Sequence, residues 1–419
     1  MKIIGIETSC DETAVCLIEA SGTFGADFRF KVLGNALLSQ IAVHAPYGGV
    51  FPNLARREHT RNLVPLLDQV FEQAHSPRGL TSGVNLSRLS KILEREPELF
   101  ERLQLFLDTH ARPDIDAIAV THGPGLEPAL WVGVNFAKAL SLAWDVPIVP
   151  VNHLEGHIAM AAMEIRQGEQ HSNILENVGM SGALYSFEFP AIALLISGGH
   201  TELDLVERWP AFKTIGETRD DAVGEAFDKV ARMMGLPYPG GPEISRLAAR
   251  ARIIADQTQI VADRNLRKSA SNLRTSASLP RPMIREPNFD FSFSGLKTAV
   301  LRLITDRTLT EEEKLALARE FEEAAADVIV HKTIRAVEEY GAQTVLVGGG
   351  VSANAHIKSH LKKALDEIGI ALLYPPAGFE TDNALMIALA GYFHAANKEF
   401  TDPATLHANG NLRLGLFNI

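Results

Sequence analysis

Apolar positions along the chain alternate between two periods. Residues 2–7 run apolar and close on a polar cluster, Glu7-Thr8-Ser9-Cys10-Asp11-Glu12-Thr13, and a second apolar run covers 14–18. Two strands around a tight polar turn fit this pattern. Residues 54–74 place Leu54, Leu63, Leu66, Leu67, Val70 and Phe71 on one helical face, and 85–107 divide into two short helices with Pro97 starting the second. A buried strand at 115–120 leads through His122-Gly123-Pro124-Gly125 into a helix over 127–144. Strands follow at 148–151, 191–196, 203–206, 344–347 and 371–374, with helices near 220–235, 315–340 and 384–395. Alternating strands and helices indicate α/β architecture. The motif of strand, polar turn and strand occurs at 2–18 and again at 191–206, which suggests two related lobes facing a cleft.

The length of 419 residues supports two ordinary domains rather than one core. With 46% hydrophobic and 22% charged residues the chain is an ordinary globular mix. Cys10 and Cys16 are its two cysteines, too few for a disulfide framework, which favours a reducing compartment. The N-terminal apolar stretch is too short for a signal segment, and no run of about 18 apolar residues suggests a membrane span. A cytoplasmic protein is expected. A formal net charge of −11 argues against binding nucleic acid through the overall field. Residues 246–285 depart from this, with nine basic residues (Arg246, Arg250, Arg252, Arg264, Arg267, Lys268, Arg274, Arg281, Arg285) against Asp256 and Asp263. That segment is either a local RNA-binding patch or a solvated helical face.

His153 and His157 stand four residues apart just after a strand, so on a helix both imidazoles share a face and can share one metal. A zincin would need Glu directly after the first His. Leu154 occupies that place, and Glu155 is rotated off the metal face. Ser197-Gly198-Gly199 and Gly348-Gly349-Gly350-Val351-Ser352-Ala353-Asn354 each follow a strand, where bare backbone N–H groups can approach a phosphate. Neither loop fits a Walker or dinucleotide pattern. Glu217, Asp220, Asp221 and Glu225 read as helix-terminus charges, whereas Asp228 lies deeper and could accept two hydroxyls or an amine. Asp382 is an N-cap by default and could instead give a metal a hard oxygen.

Taken in order, these motifs resemble the TsaD family. The resemblance rests on residues 6–13, Asn152-His153-Leu154-Glu155-Gly156-His157, residues 196–201, Gly224-Glu225-Ala226-Phe227-Asp228-Lys229, Tyr238-Pro239-Gly240-Gly241-Pro242, residues 291–297, residues 348–354 and Thr381-Asp382-Asn383. It implies a two-lobed α/β fold of the actin-like ATPase and sugar-kinase (ASKHA) type, with duplicated RNase H-like lobes. The expected lobes are 1–145, with a C-terminal helix at 385–419 packing back on it, and 146–384 carrying the metal and adenylate site. The implied reaction moves threonylcarbamoyl from threonylcarbamoyl-AMP to N6 of adenosine 37 in tRNAs reading ANN codons, forming t6A. The resemblance carries metal ligation onto His153, His157 and Asp382, with one divalent ion, Fe2+ or else Zn2+. Adenylate contacts carry onto Leu195, Ile196, Ser197, Gly198, Gly199, Asp228, Gly241, Ser245 and Asn354, and ATP or ADP can occupy the same site. Ser245 stands where many members carry an acid. Implied partners are tRNA, a non-catalytic paralogue (TsaB) and a P-loop ATPase (TsaE). The chain departs from the family in longer segments at 76–112, 164–188 and 251–278.

Glu12 is the candidate general base, against the reading of a turn-stabilising carboxylate. A small-molecule or sugar kinase on the same fold, a scaffold paralogue and a metalloprotease are the competing functions. The His pair argues against the first, the pair with Asp382 against the second, and the position of Glu155 against the third.

Overall fold

The structure is a computed structural model that describes residues 1–166, 178–265, 279–306 and 308–415, without the side chains of 166 and 256–265. The chain divides into two compact units, Met1–Phe187 with Leu373–Ile419, and Glu188–Leu372.

In the first unit the order is β1 (Lys2–Glu7), β2 (Glu12–Ser21), β3 (Arg29–Ser39), α1 (Ile41–His44), α2 (Pro52–Gln73), α3 (Leu86–Ile92), α4 (Pro97–Thr109), β4 (Ala117–Gly123), α5 (Glu127–Trp144), β5 (Ile148–Asn152), α6 (His153–Ala161), β6 (Met163–Arg166) and β7 (Ser181–Leu184). The second unit contributes β8 (Ala191–Ile196), β9 (Thr201–Arg208), β10 (Ala211–Glu217), α7 (Val223–Met233), α8 (Gly240–Asn265), α9 (Ser294–Ile304), α10 (Glu311–Tyr340), β11 (Thr344–Gly348), α11 (Ala355–Glu367) and β12 (Ala371–Leu373). The chain then returns to the first unit as α12 (Ala384–Ala396).

The first sheet runs β5-β4-β1-β2-β3-β7-β6 and the second β10-β9-β8-β11-β12. Numbered within its own unit, each sheet contains the order 5-4-1-2-3. In each, an antiparallel three-strand meander is joined through its first strand to a parallel neighbour, β1 to β4 and β8 to β11. This duplicated topology is that of the actin-like, sugar-kinase fold. The central strands β1, β8 and β11 are buried almost throughout, which is why they read as continuous apolar runs rather than alternating ones.

The expected boundary at residue 145 falls elsewhere in the structure. β5 pairs in parallel with β4, and α6 packs on α12, so residues 148–187 stay with the first unit. The helix expected over 385–419 ends at Ala396. Lys398 takes a left-handed backbone (φ 64°) and Pro403 lies shortly beyond, and neither continues a helix. The long segment 76–112 extends the first core: Leu89, Leu93, Leu99, Leu103 and Phe106 are buried beside Phe71, which stacks on Trp144 at 5.7 Å between ring centroids. β6 and β7 add two strands to the edge at β3, and residues 167–177 lie outside the described residues.

α12 lies on β1, β2 and β4 so closely that a Cβ at Gly5 would strike the Ala384 carbonyl. Its partner α6 is buried at every position, including Glu155. Glu155 Oε1 sits 2.8 Å from His394 Nε2 on α12, and His394 Nδ1 is 2.5 Å from Glu399. Burial opposes charge on His394, but the two carboxylates win and raise its imidazole to about 9. Because the folded value exceeds the unfolded one, this pairing stabilises fully below about pH 6.5 and fades as pH rises towards about 9. Its upper bound is on the order of 3 kcal/mol. His394→Gln is expected to lower Tm at pH 6, with the deficit shrinking by pH 9.5 in parallel melting curves; a deficit constant with pH would contradict this.

Candidate metal centre and nucleotide loops

Asn152 ends β5 and caps α6 by accepting from Leu154 N–H at 2.9 Å, so the helix starts on His153 directly at the strand end. His153 and His157 therefore face the same way, their ring centroids 4.8 Å apart. Asp382 joins them: its Oδ1 lies 3.4 Å from His153 Nε2 and 3.1 Å from His157 Nε2. The cap of α12 is supplied by Asn383, which accepts from Met386 N–H at 3.0 Å, so Asp382 is not spent as the N-cap its position suggests. Ser9 Oγ donates to the other oxygen of Asp382 at 3.4 Å.

Behind His153 stands Glu7, fully buried at the end of β1. Its Oε2 is 3.1 Å from His153 Nδ1 and accepts from Thr121 Oγ1 at 2.6 Å, while Oε1 accepts from Ser9 N–H at 2.5 Å. A carboxylate behind a ring orients the imidazole and makes its other nitrogen a better ligand. Burial opposes charge on His153, but Asp382 and Glu7 raise it well above the usual value. Burial likewise works against ionised Asp382, yet His153 and then His157 hold it well below the carboxylate range. Two imidazole nitrogens and one carboxylate oxygen, with donor atoms within 4.8 Å of one another, fit one divalent transition-metal ion. His157 Nδ1, buried, has no hydrogen-bond partner among the described residues.

Glu12 opens β2 and accepts from Ser39 Oγ at 3.2 Å. Burial, then Asp11 and Asp382, push its carboxyl well above the usual range, which suits a proton acceptor. Burial, then the same two carboxylates, also push the Cys10 thiol well up, so no thiolate nucleophile is available there. Glu155, on the far side of α6, is bound to His394 and stands off the metal face.

In the second unit, β8 ends in Ser197-Gly198-Gly199. Ser197 Oγ accepts from Gly199 N–H at 3.2 Å and His200 N–H at 3.0 Å, which shapes a tight turn. Gly198 and Gly199 face open space, so their backbone is accessible to a ligand. Gly349 (φ 86°) packs against Ile196 and Ser197, where a Cβ would strike the Ile196 carbonyl. Asp228 on α7 accepts from Gly240 N–H at 2.7 Å and Gly241 N–H at 3.3 Å, holding the start of α8. Asn354 caps α11 and its amide donates to Ser245 Oγ and Glu322 Oε1, both at 2.8 Å. The fold thus brings together Ser197 to Gly199 with Gly349, Asp228 with Gly241, and Ser245 with Asn354. Leu195 and Ile196 are buried in β8 and offer their backbone alone.

The site residues not found from sequence are Glu7, Ser9 and Thr121. A charge closing an apolar strand marked Glu7, but its target lies 146 positions away. The basic segment is partly neutralised where described: Arg246 pairs with Glu243 (2.7 Å), Arg252 with Glu322 (2.7 Å) and Arg281 with Glu320 (2.6 Å) and Asp327 (2.8 Å). Arg267, Lys268 and Arg274, with the side chain of Arg264, lie outside the described residues. Among the described residues no helix is long and apolar enough to cross a membrane.

Residues 31–84 and 98–389 match the family TsaD: tRNA N6-adenosine threonylcarbamoyltransferase. Proteins of that name include relatives from Persephonella marina, 37% identical over all of this chain and 97% of theirs, and from Nitrosospira multiformis, 38% identical over 100% and 96%. A Ralstonia pickettii relative is 39% identical over 93% of this chain and 90% of its own. A solved hexokinase of the ROK type from Thermus thermophilus superposes on 95% of this chain and 100% of its own at 13% identity, TM-score 0.41.

Glu7→Gln is expected to weaken metal binding about 10–100-fold, and His157→Ala or Asp382→Asn to abolish stoichiometric binding, read by metal analysis after dialysis. Because His153 holds a proton that an ion must displace, affinity should fall as pH is lowered and binding should release protons, measurable by calorimetry in buffers of different ionisation heat. Metal binding independent of pH would overturn this.

Proposed function

The chain belongs to the TsaD family of tRNA N6-adenosine threonylcarbamoyltransferases, and from that premise we propose that it transfers threonylcarbamoyl from threonylcarbamoyl-AMP to N6 of adenosine 37 in tRNAs reading ANN codons. The observation that carries this reading to particular residues is the buried cluster of His153, His157 and Asp382 backed by Glu7.

These three residues hold one divalent ion, iron in preference to zinc, which when bound supplies Lewis-acid polarisation of donor oxygens. The donor is a mixed anhydride. The N6 lone pair attacks the carbamoyl carbon, the bond from that carbon to the phosphate oxygen breaks, AMP departs with the electron pair, and N6 loses a proton. Glu12 takes that proton, a role supported by its elevated affinity for one. The adenylate is held by the backbone of Leu195 to Gly199 and by Asp228, Gly241, Ser245 and Asn354. The backbone of the open glycine turn, where no side chain blocks approach, stabilises the departing phosphate. Asn354 and Ser245 already bond to each other, so a ligand that engages them exchanges one polar contact for another. ATP or ADP competes for the same loops. The partners are tRNA, a TsaB-like paralogue and a TsaE-like P-loop ATPase, in the cytoplasm.

The test is incubation with threonylcarbamoyl-AMP, unmodified tRNA and the partner subunits, followed by mass analysis of the nucleosides. A threonylcarbamoyl increment on adenosine, absent with His157→Ala, is expected; no increment with metal and partners present would refute the transferase assignment. Glu12→Gln should slow transfer about 10²–10⁴-fold with donor affinity retained. Asp228→Asn should raise the KM for the donor, whereas full activity in Glu12→Gln would remove Glu12 from the reaction.

A further inference from the structure

Among the described residues a second group has the geometry of a metal site, and the reaction above makes no use of it: Glu323, His356 and His360, with donor atoms within 4.8 Å of one another. The two histidines stand four apart on α11, their ring centroids 4.0 Å apart, and Glu323 faces them from α10. His356 Nε2 lies 2.9 Å and His360 Nε2 3.8 Å from the Glu323 carboxylate. Ligands held about 2.0–2.2 Å from a tetrahedral ion sit about 3.3–3.6 Å apart, so the two observed separations bracket what an ion requires.

Two further observations point to a ligand rather than to an ion pair. The His356 side chain is only 10% exposed, yet its Nε2 makes no hydrogen bond: the nearby carboxylate is close but wrongly aligned. His360 Nδ1 lies 2.9 Å from the His356 carbonyl. A carbonyl only accepts, so the proton sits on Nδ1 and the Nε2 lone pair is left for coordination. His360 and Glu323 are 40% and 34% exposed, which leaves a further coordination position to water. Arg252 is the neighbouring cation. Its Nη1 holds Glu322 at 2.7 Å, while Nη2 stands 3.7 Å from Glu323, a looser contact that an ion can replace.

We propose that Glu323, His356 and His360 bind one zinc-like divalent transition-metal ion, separate from the His153 centre. Two imidazoles and a single carboxylate suit zinc or cobalt; calcium and magnesium need more oxygen ligands. The ion clips α11 to α10 beside Asn354, the cap of α11.

The test is titration of the full chain carrying His153→Ala and His157→Ala with Zn2+ or Co2+, followed by calorimetry and metal analysis. About one equivalent should still bind, with a Co2+ visible spectrum of tetrahedral type, and Zn2+ should raise Tm. Adding His360→Ala, at a partly exposed position, should weaken binding about tenfold or more and remove the Tm shift, and Glu323→Gln should do the same. In the chain with His153 and His157 intact, His360→Ala should lower Zn2+ content by about one equivalent, which keeps the test decisive if the double variant does not fold. Zn2+ affinity and content unchanged by both His360→Ala and Glu323→Gln would overturn the proposal.

Discussion

A fully buried carboxylate must be compensated, and in the first unit Glu7 imposes that condition on everything around it. It terminates β1 between β2 and β4, where no water reaches, and is satisfied by Ser9, Thr121 and His153. His153 can meet it only because β5 delivers α6 at that height, capped by Asn152. The second nitrogen of His153 then faces Asp382, which the chain supplies after the whole second unit has intervened. Strand, helix start and returning segment are thus tied by one set of charges, and the same charges prepare a place for a cation.

The second unit repeats the strand order with a different economy. At the turns that end β8 and β11, backbone groups and a hydroxyl shape the surface. The turn after β8 is shaped by Ser197 Oγ, and the Gly349 turn is packed against it so tightly that a side chain is excluded. Asp228 spends its carboxylate on the N–H groups that start α8. The Ser197 and Gly349 turns present dipoles rather than net charge, as an anionic phosphate in a protein of net charge −11 would need.

The extra segments show the same rule of compensation. Residues 76–112 became core because their leucines recur at helical spacing and meet Phe71 and Trp144. In the segment 246–285, α10 presents Glu320, Glu322 and Asp327 to Arg252 and Arg281, so among the described residues part of the positive charge that stands out along the sequence is matched in space.

Periodicity and turn chemistry alone determined the strands at 2–18 and 191–206, the helices at 85–107 and 127–144, the shared face of His153 and His157, and the duplicated α/β plan, because each depends on neighbours a few residues apart. β3 and β10 went unread: β10 is only partly buried, and β3 mixes exposed and buried positions around an internal glycine, so neither makes a clean apolar run. Only tertiary structure decided the unit boundary, which follows the pairing of β5 with β4 rather than any break in composition. It also released Asp382 from capping by assigning that task to Asn383, and it brought Glu7 behind His153 across 146 positions. Local spacing sets which way a side chain points from its own element. Which charge it meets there depends on the path of the chain between them.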